Sequence, residues 1–336
     1  MRLSNGYKKR GGEKMIKKWS VIGIIFICCL LFCGKSNFVN AAEKFVSAPL
    51  NHVDKEVEVG KTKIYLKATG SFFSGLTSEK IYVVKGKKRI LLASADGKKT
   101  KLVGGVLTDG NTVYYTKTFY TISLGGRTKV PKKCCIYKVK IGGNNKSQKI
   151  CTINSRSSNR RNLLELPNIL GVWKNKIFYY EGNTVYCYFM ASKKHEEIAY
   201  LTPGKSGKQF KNHIYYMRYG WGEFGLYEIN AKTGKVTTIS KHVMINSREK
   251  DFRYDIIDGK IYYLELLDQE PLHKASYNSY GRYYDHVALK RCKLDGSGEE
   301  TLIGDFAVAY AKTVVFKKNS ITYYNEQGKK RTRKFS

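Results

Sequence analysis

Proline is scarce, five in 336 residues, so neither a polyproline rod nor a proline-rich linker accounts for much of the chain. Acidic side chains are scarce too. Only 27 Asp and Glu stand against 61 Lys and Arg, a surplus of 34 positive charges that turns the surface toward polyanions, whether nucleic acid, envelope polymer or acidic lipid headgroups. No CxxC pair occurs, and the six histidines, at 52, 195, 213, 242, 273 and 286, stand singly, so no metal site and no cofactor are expected. Nucleophile elbow, Walker loop and HExxH motifs are missing, and no catalytic residue is assigned. The apolar run from Val21 to Phe32 falls short of the ~20 residues that a comfortable membrane span needs.

What is present begins with that run. Lys14, Lys17 and Lys18 precede it and CGKSNFVNAA follows, the three-part layout of a secretory signal peptide, with Val39 and Ala41 at the minus-three and minus-one positions of the cut. Residues 1–41 are therefore expected to be a cleaved signal, with a retained N-terminal anchor as the alternative. Arg10-Gly11-Gly12-Glu13-Lys14 is what a purine-rich ribosome-binding site spells when read as codons, so translation is expected to start at Met15 in a bacterium. Export implies a secreted, extracellular or envelope-associated protein and removes nucleic acid as a biological partner. It leaves Cys134, Cys135, Cys151, Cys187 and Cys292, too few and too scattered for a disulfide framework. If any pair bridges, Cys135 and Cys151 are expected to do so, diagonally across neighbouring strands.

The remainder alternates. Apolar residues make up 42% of the chain and tyrosine reaches 26, in short period-two runs separated by Asp-Gly, Gly-Asn and Lys-Gly turns. Six units emerge, each a hairpin, a second connection and another hairpin: 56–93, 101–153, 166–201, 208–240, 252–303 and 306–335. About fifty residues per unit is the range of propeller blades, and such units bury their faces only by stacking on neighbours. The expected fold is all-β, a monomeric six-bladed propeller of four-stranded antiparallel blades over residues 55–336, with 42–54 as a lead-in.

KIYYLE at 260–265 and LKRCKLDGSGEETLI at 289–303 resemble the YWTD strand and second hairpin of the low-density-lipoprotein-receptor type of six-bladed propeller. The repeated IYY and LDG signatures across 43–336 are similar to those of secreted clostridial propellers of this type. Tyr263, Leu264 and Glu265 replace Trp, Thr and Asp, and only the fifth unit keeps the whole LDGSG turn. The resemblance implies the fold and a leaning toward binding, and assigns no ligand residue.

In an up-and-down blade the first and third connections share one end of the ring. Here these are all short, whereas the connections at the opposite end are long and carry aromatic and arginine residues. They include 68–78, 118–133 with Arg127, 154–165 with Arg160 and Arg161, 219–223 with Trp221, and 267–285 with Tyr277, Tyr280, Arg282, Tyr283 and Tyr284. Aromatic faces stack on sugars, and guanidinium groups fork onto phosphate, sulfate or carboxylate. These nine residues are the expected ligand contacts for an anionic envelope polymer or acidic glycan. An extracellular protein partner on the same face is the alternative. A propeller glycoside hydrolase would need inward carboxylates, for which Glu56, Glu58, Asp255, Asp258 and Asp305 are the candidates.

Overall fold

The computed structural model describes residues 46–48, 55–59, 62–71, 75–97, 99–122, 129–153, 167–200, 208–217, 225–244, 253–267, 276–277, 283–309 and 312–336, all within the unit Ser36–Ser336. Residues 1–41, the expected signal, lie outside the described residues. So does the 42–54 lead-in apart from 46–48, which form strand β1 (Val46–Ala48). No helix among the described residues is long and apolar enough to cross a membrane.

Every sheet is antiparallel, and apart from β1 and β20 the strands of each sheet lie in chain order. Sheet 1 holds β2 (Lys55–Val59), β3 (Thr62–Ser71), β4 (Gly75–Lys85) and β5 (Lys88–Ala95). Sheet 2 holds β6 (Thr100–Thr108), β7 (Thr112–Ile122), β8 (Lys129–Lys140) and β9 (Gln148–Ile153), with β1 added to the free edge of β6 in the register Val46↔Thr108. Sheet 3 is β10 (Asn168–Trp173), β11 (Lys176–Glu181), β12 (Thr184–Phe189) and β13 (Lys194–Tyr200). Sheet 4 is β14 (Lys208–Phe210), β15 (His213–Met217), β16 (Leu226–Asn230) and β17 (Val236–Ser240). Sheet 5 has β18 (Tyr254–Ile257), β19 (Lys260–Leu266), β20 (Ser276–Tyr277), β21 (Tyr283–Lys293) and β22 (Glu300–Ala309). Sheet 6 has three strands, β23 (Val315–Lys317), β24 (Ser320–Tyr324) and β25 (Lys330–Lys334).

The burial pattern explains the sequence pattern. The second strands of sheets 3, 4 and 5 are covered on both faces: in β11, KIFYYE, all but the first residue are buried, and consecutive burial also holds for IYY in β15 and IYYL in β19. A strand sandwiched between two neighbouring sheets must be apolar at consecutive positions, and tyrosine serves because its hydroxyl reaches the sheet margin. Fourth strands such as β13 are largely exposed and polar. Five apolar interfaces result. Ile64, Ile81 and Leu92 of sheet 1 pack on Leu102, Val113 and Val139 of sheet 2; Ile136 and Cys151 of sheet 2 pack on Val172 and Ile177 of sheet 3. Phe178 and Val185 meet Ile214 and Ile229 between sheets 3 and 4, Tyr215 and Leu226 meet Ile256 and Ile261 between 4 and 5, and Leu264 and Phe306 meet Phe316 and Ile321 between 5 and 6. Among the described residues no such cluster joins sheet 6 to sheet 1.

Polar clamps cross the same interfaces. Tyr188 Oη donates to the Ile150 carbonyl, Tyr215 Oη to Leu294 and Tyr262 Oη to Lys318, at 3.4, 2.7 and 3.4 Å. Ser147 Oγ donates to Leu92 O at 3.1 Å, and Leu102 N–H donates to the buried Glu79 carboxylate at 2.5 Å. Gln209, fully buried on β14, pairs with both backbone groups of Val172 on β10 and thus stands in for a neighbouring strand. Gly171 makes that approach possible, because a Cβ there would lie 2.4 Å from Ile214 Cδ1 and 2.8 Å from Gln209 Oε1.

Three expectations change. Phe306 to Ala309 do not open the sixth unit: bulges in the β21–β22 ladder let β22 run on, placing Phe306 opposite Val287, and its ring then packs on Tyr323 of sheet 6 at 4.9 Å. Segments 68–78 and 118–133 are largely hairpin extensions instead of loops, with Ser71 opposite Gly75 and Ile122 opposite Lys129; pairing satisfies backbone groups that a loop would leave to water. Cys135 and Cys151 do not bridge. Cys151 lies opposite Ile136, whereas Cys135 lies opposite Thr152, so the two thiols leave opposite faces of sheet 2.

All five cysteines among the described residues are free and buried. Burial pushes the thiols of Cys134, Cys151 and Cys292 up to about 12 and that of Cys187 up to about 11, where Lys176 opposes the shift. At pH 8 these four remain protonated, and the thiolate is the reactive form. Alkylation at pH 8 followed by mass spectrometry is expected to leave them unmodified in the folded protein and to modify them all in denaturant. Rapid labelling of any of the four in the folded protein would contradict this packing.

Candidate binding cleft at the short-turn end

The first and third turns of the sheets meet at one end, and there sheets 3 and 4 form a cleft of about 350 Å³ lined by Trp173, Lys174, Lys176, Phe189, Ser192 and Lys232 among others. Register builds its floor. Trp173 lies opposite Lys176, Lys176 opposite Phe189, and Phe189 opposite Lys194, so one row across sheet 3 alternates aromatic ring and ammonium group. Lys176 Nζ stands 5.4 Å from the Phe189 ring centroid, within cation–π range.

Sheet 4 contributes the opposite wall. Asn230 Oδ1 accepts from the backbone N–H of Lys232 at 3.1 Å and of Thr233 at 3.3 Å and from Asn212 Nδ2 at 3.2 Å, which fixes the β16–β17 turn. Lys176 Nζ then donates to the carbonyls of Ala231 and Lys232, at 3.4 and 3.2 Å, tying that turn to sheet 3. Asn175 O accepts from Met190 N–H at 2.8 Å and joins the two turns of sheet 3. The turns themselves are unusual. All five non-glycine residues with positive φ among the described residues, Asn145, Lys174, Lys193, Lys211 and Asp258, sit in first or third turns. A lysine held in the left-handed region costs about 1 kcal/mol or more relative to glycine, so three of these turns carry a cation where glycine would be cheaper.

The arrangement offers two flat apolar faces and several ammonium groups across a space of small-ligand size. Such a site suits a sugar ring bearing carboxylate, sulfate or phosphate: the rings stack and the lysines neutralise. The candidate carboxylates for hydrolysis are placed differently. Asp255 is ion-paired with Lys208 at 2.5 Å, Asp258 faces Lys318 at 3.1 Å, and Asp305 is exposed and faces His286 at 2.6 Å. Glu56 and Glu58 lie on β2, and their side chains lie outside the described residues. In sheet 5, Lys290 bridges Glu265 and Glu299, Tyr263 Oη donates to Glu299, and Ser240 Oγ donates to Glu265 at 2.9 Å. Burial works against the Glu299 carboxylate, but hydrogen bonds from Lys290 and Tyr263 hold it below its usual range. This network locks sheet 4 to sheet 5 and leaves both carboxylates engaged.

Of the residues expected at the long-connection end, Trp221, Arg127, Arg160, Arg161, Tyr280 and Arg282 lie outside the described residues. Tyr277 and Tyr283 face each other in register across the β20–β21 hairpin. Tyr284 is half-buried opposite Ala309, its ring edge-on to His286 at 5.7 Å. Sequence reasoning passed over Trp173, Lys176, Phe189 and Lys232. For the first three the signal is a pair of short turns, VWKNKIF and CYFMASKK, whose aromatics occupy the last strand positions beside lysines.

No protein-family model and no curated protein sequence matches the chain. Similar solved structures include TolB from Acinetobacter baumannii, at 10% identity over 77% of this chain and 59% of that one, with a TM-score of 0.35. A nidogen/laminin complex is similar at 8% identity over 82% and 89% of the two chains, with a TM-score of 0.37. An oligogalacturonate lyase in complex with manganese is similar at 8% identity over 86% and 97%, with a TM-score of 0.36. This chain thus spans about three-fifths of the length of TolB, and none of the likenesses assigns a role to a residue.

Proposed function

We propose that the protein is a secreted, noncatalytic six-bladed propeller that binds an anionic envelope polymer or acidic glycan, with the short-turn cleft as its principal contact. The single observation that carries this reading is the Trp173–Lys176–Phe189–Lys194 row, walled by Lys232, on a chain with a surplus of 34 positive charges. The long-connection end, with its arginines and tyrosines, supplies further contacts along an extended polymer.

Binding to a uronic-acid or sulfated oligosaccharide is expected to weaken by roughly one to two orders of magnitude between 50 and 200 mM salt, as counterion release demands for a few neutralised charges. Trp173→Ala should weaken binding at least about tenfold with little change in salt slope, because stacking is lost and charge kept; Lys232→Gln should flatten the slope. Affinity unchanged by both substitutions, with melting intact, would remove the cleft from the proposal. Loss on Tyr280→Ala with Arg282→Ala instead would move the principal contact to the long-connection end.

A second reading has its own observation. Within the tyrosine-rich insertion β20 pairs with β21, Ser276 opposite Tyr284 and Tyr277 opposite Tyr283, which suits an aromatic-anchored protein interface. A partner captured from native envelope that survives moderate salt, and is lost when 278–282 is replaced by Gly-Asn, would favour this reading.

A further inference from the structure

Sheet 6 has three strands, and its outer strand β25 carries Lys330, Arg331, Thr332, Arg333 and Lys334, all exposed. Sheets 1, 3 and 4 each place a fourth strand at the corresponding position. The ladder shows which backbone groups β25 leaves over. Asn325 N–H donates to Lys329 O at 3.0 Å, and Phe335 N–H donates to Asn319 O at 3.1 Å. Between those two bonded pairs the antiparallel register must alternate, so Arg331 and Arg333 bond inward to Tyr323 and Ile321. Lys330, Thr332 and Lys334 point their N–H and C=O groups outward, where no described strand receives them.

Side chains alternate as well. Arg333 lies over the Phe306 ring at 5.4 Å on the face toward sheet 5, whereas Thr332 meets Thr322 through their hydroxyls at 2.9 Å on the opposite face. A strand added to this edge therefore meets cations on both of its faces, Arg331 and Arg333 on one, Lys330 and Lys334 on the other. Cations on an edge discourage pairing with a second copy, whose edge is equally basic, and favour a strand of opposite sign.

We propose that the β25 edge, Lys330–Lys334, takes an extended acidic peptide segment by strand addition. The segment supplies carbonyls and N–H groups to Lys330, Thr332 and Lys334 and carboxylates to the pair of cations on the face its acidic residues take, so backbone pairing gives affinity and charge gives selection. It is a site separate from the turn-end cleft, and its occupant is a protein segment instead of a glycan.

The test uses the full chain and three labelled seven-residue peptides: alternating Glu and Val, alternating Lys and Val, and the Glu/Val peptide N-methylated at consecutive residues, so that neither of its edges keeps its donors. The Glu/Val peptide should bind, the Lys/Val peptide should not, and N-methylation should weaken binding at least about tenfold, the size of one to two lost backbone hydrogen bonds. Hydrogen exchange supplies a readout that does not depend on a variant. On adding the Glu/Val peptide the amides of Lys330, Thr332 and Lys334 should slow, while those of Arg331 and Arg333 stay as they were. Thr332→Pro removes an outward N–H and no ladder bond, so it should abolish peptide binding and spare melting. Equal binding of the N-methylated peptide would overturn the proposal in favour of charge alone. No binding of the Glu/Val peptide, or protection of all three outward amides before it is added, would overturn it because the edge is already covered by this chain or a second copy.

Discussion

Gln209→Ala is expected to lower the melting temperature by on the order of 10 °C, the effect of about 3–5 kcal/mol in a chain of this size. The Gln209 amide accepts from Val172 N–H at 2.9 Å and donates to Val172 O at 2.7 Å, both buried, and to the part-buried Lys211 O at 2.9 Å. Removing it strands the two buried backbone groups of Val172, each worth about 1–3 kcal/mol when left without a partner, and opens a void against Gly171. Gln209→Glu sharpens the expectation. A carboxylate there is desolvated and faces two carbonyls, so its folded-state pKa rises above its unfolded value. The variant should therefore be most stable below the ordinary Glu range, where the protonated acid can donate to one carbonyl, and lose stability as pH rises through the folded pKa. Melting curves of the two variants at pH 4.5 and pH 7 check this. A Gln209→Ala protein that melts like the parent would mean that Val172 is satisfied by other means.

The second large effect belongs to the neighbouring residue. Lys208 reaches across from sheet 4 to Asp255 on sheet 5 at 2.5 Å, with side-chain exposures of 8% and 23%. Its backbone N–H donates to Tyr254 Oη at 3.2 Å, and that hydroxyl donates onward to Tyr215 O at 3.3 Å. Lys208→Met leaves a largely desolvated carboxylate without its counter-charge, which is expected to cost about 3 kcal/mol. The double variant Lys208→Met with Asp255→Leu should recover much of that loss, since removing both charges also removes the desolvation penalty. Urea denaturation of the parent, both single variants and the double variant gives the coupling energy. A coupling near zero, or one that vanishes at 0.5 M salt as for an exposed pair, would show that this contact does not hold the two sheets.

Much of the architecture was legible because period-two alternation and turn chemistry are local. Units such as 166–201 and 208–240 correspond to sheets 3 and 4, since IFYY and IYY runs separated by short Lys-, Asn- and Gly-containing turns leave few other pairings. The sixth unit was misread because nothing local distinguishes FAVA as the end of one sheet from the start of the next. A bulge opposite Val287 and Leu289 decides it. Long connections read as loops because their Thr- and Lys-rich sequence has weak hydrophobic contrast, yet Phe119 sits between Lys117 and Lys133, 5.9 and 5.1 Å from its ring, as a strand residue. The cleft was illegible for a different reason. Trp173 and Lys232 belong to turns of different sheets, and only stacking brings them together. Gln209 gave no sign either: a lone polar residue in KQFKN looks solvated until β10 is seen beside it.

The polar clamps between sheets have one more consequence, in the order of assembly. Gln209 and Val172 are 37 residues apart, Ser147 and Leu92 are 55 apart, and even Tyr215 and Leu294 are only 79 apart. Apart from β1, which pairs with β6, and the short β20, each sheet is a meander of consecutive strands, and each clamp reaches only the next sheet along the chain. Such locality keeps the loop-closure entropy of every step small and nearly equal, so sheets can add one after another as the chain emerges N-terminus first. On that schedule sheet 6 is the last to dock, and it joins a stack whose other members already have partners.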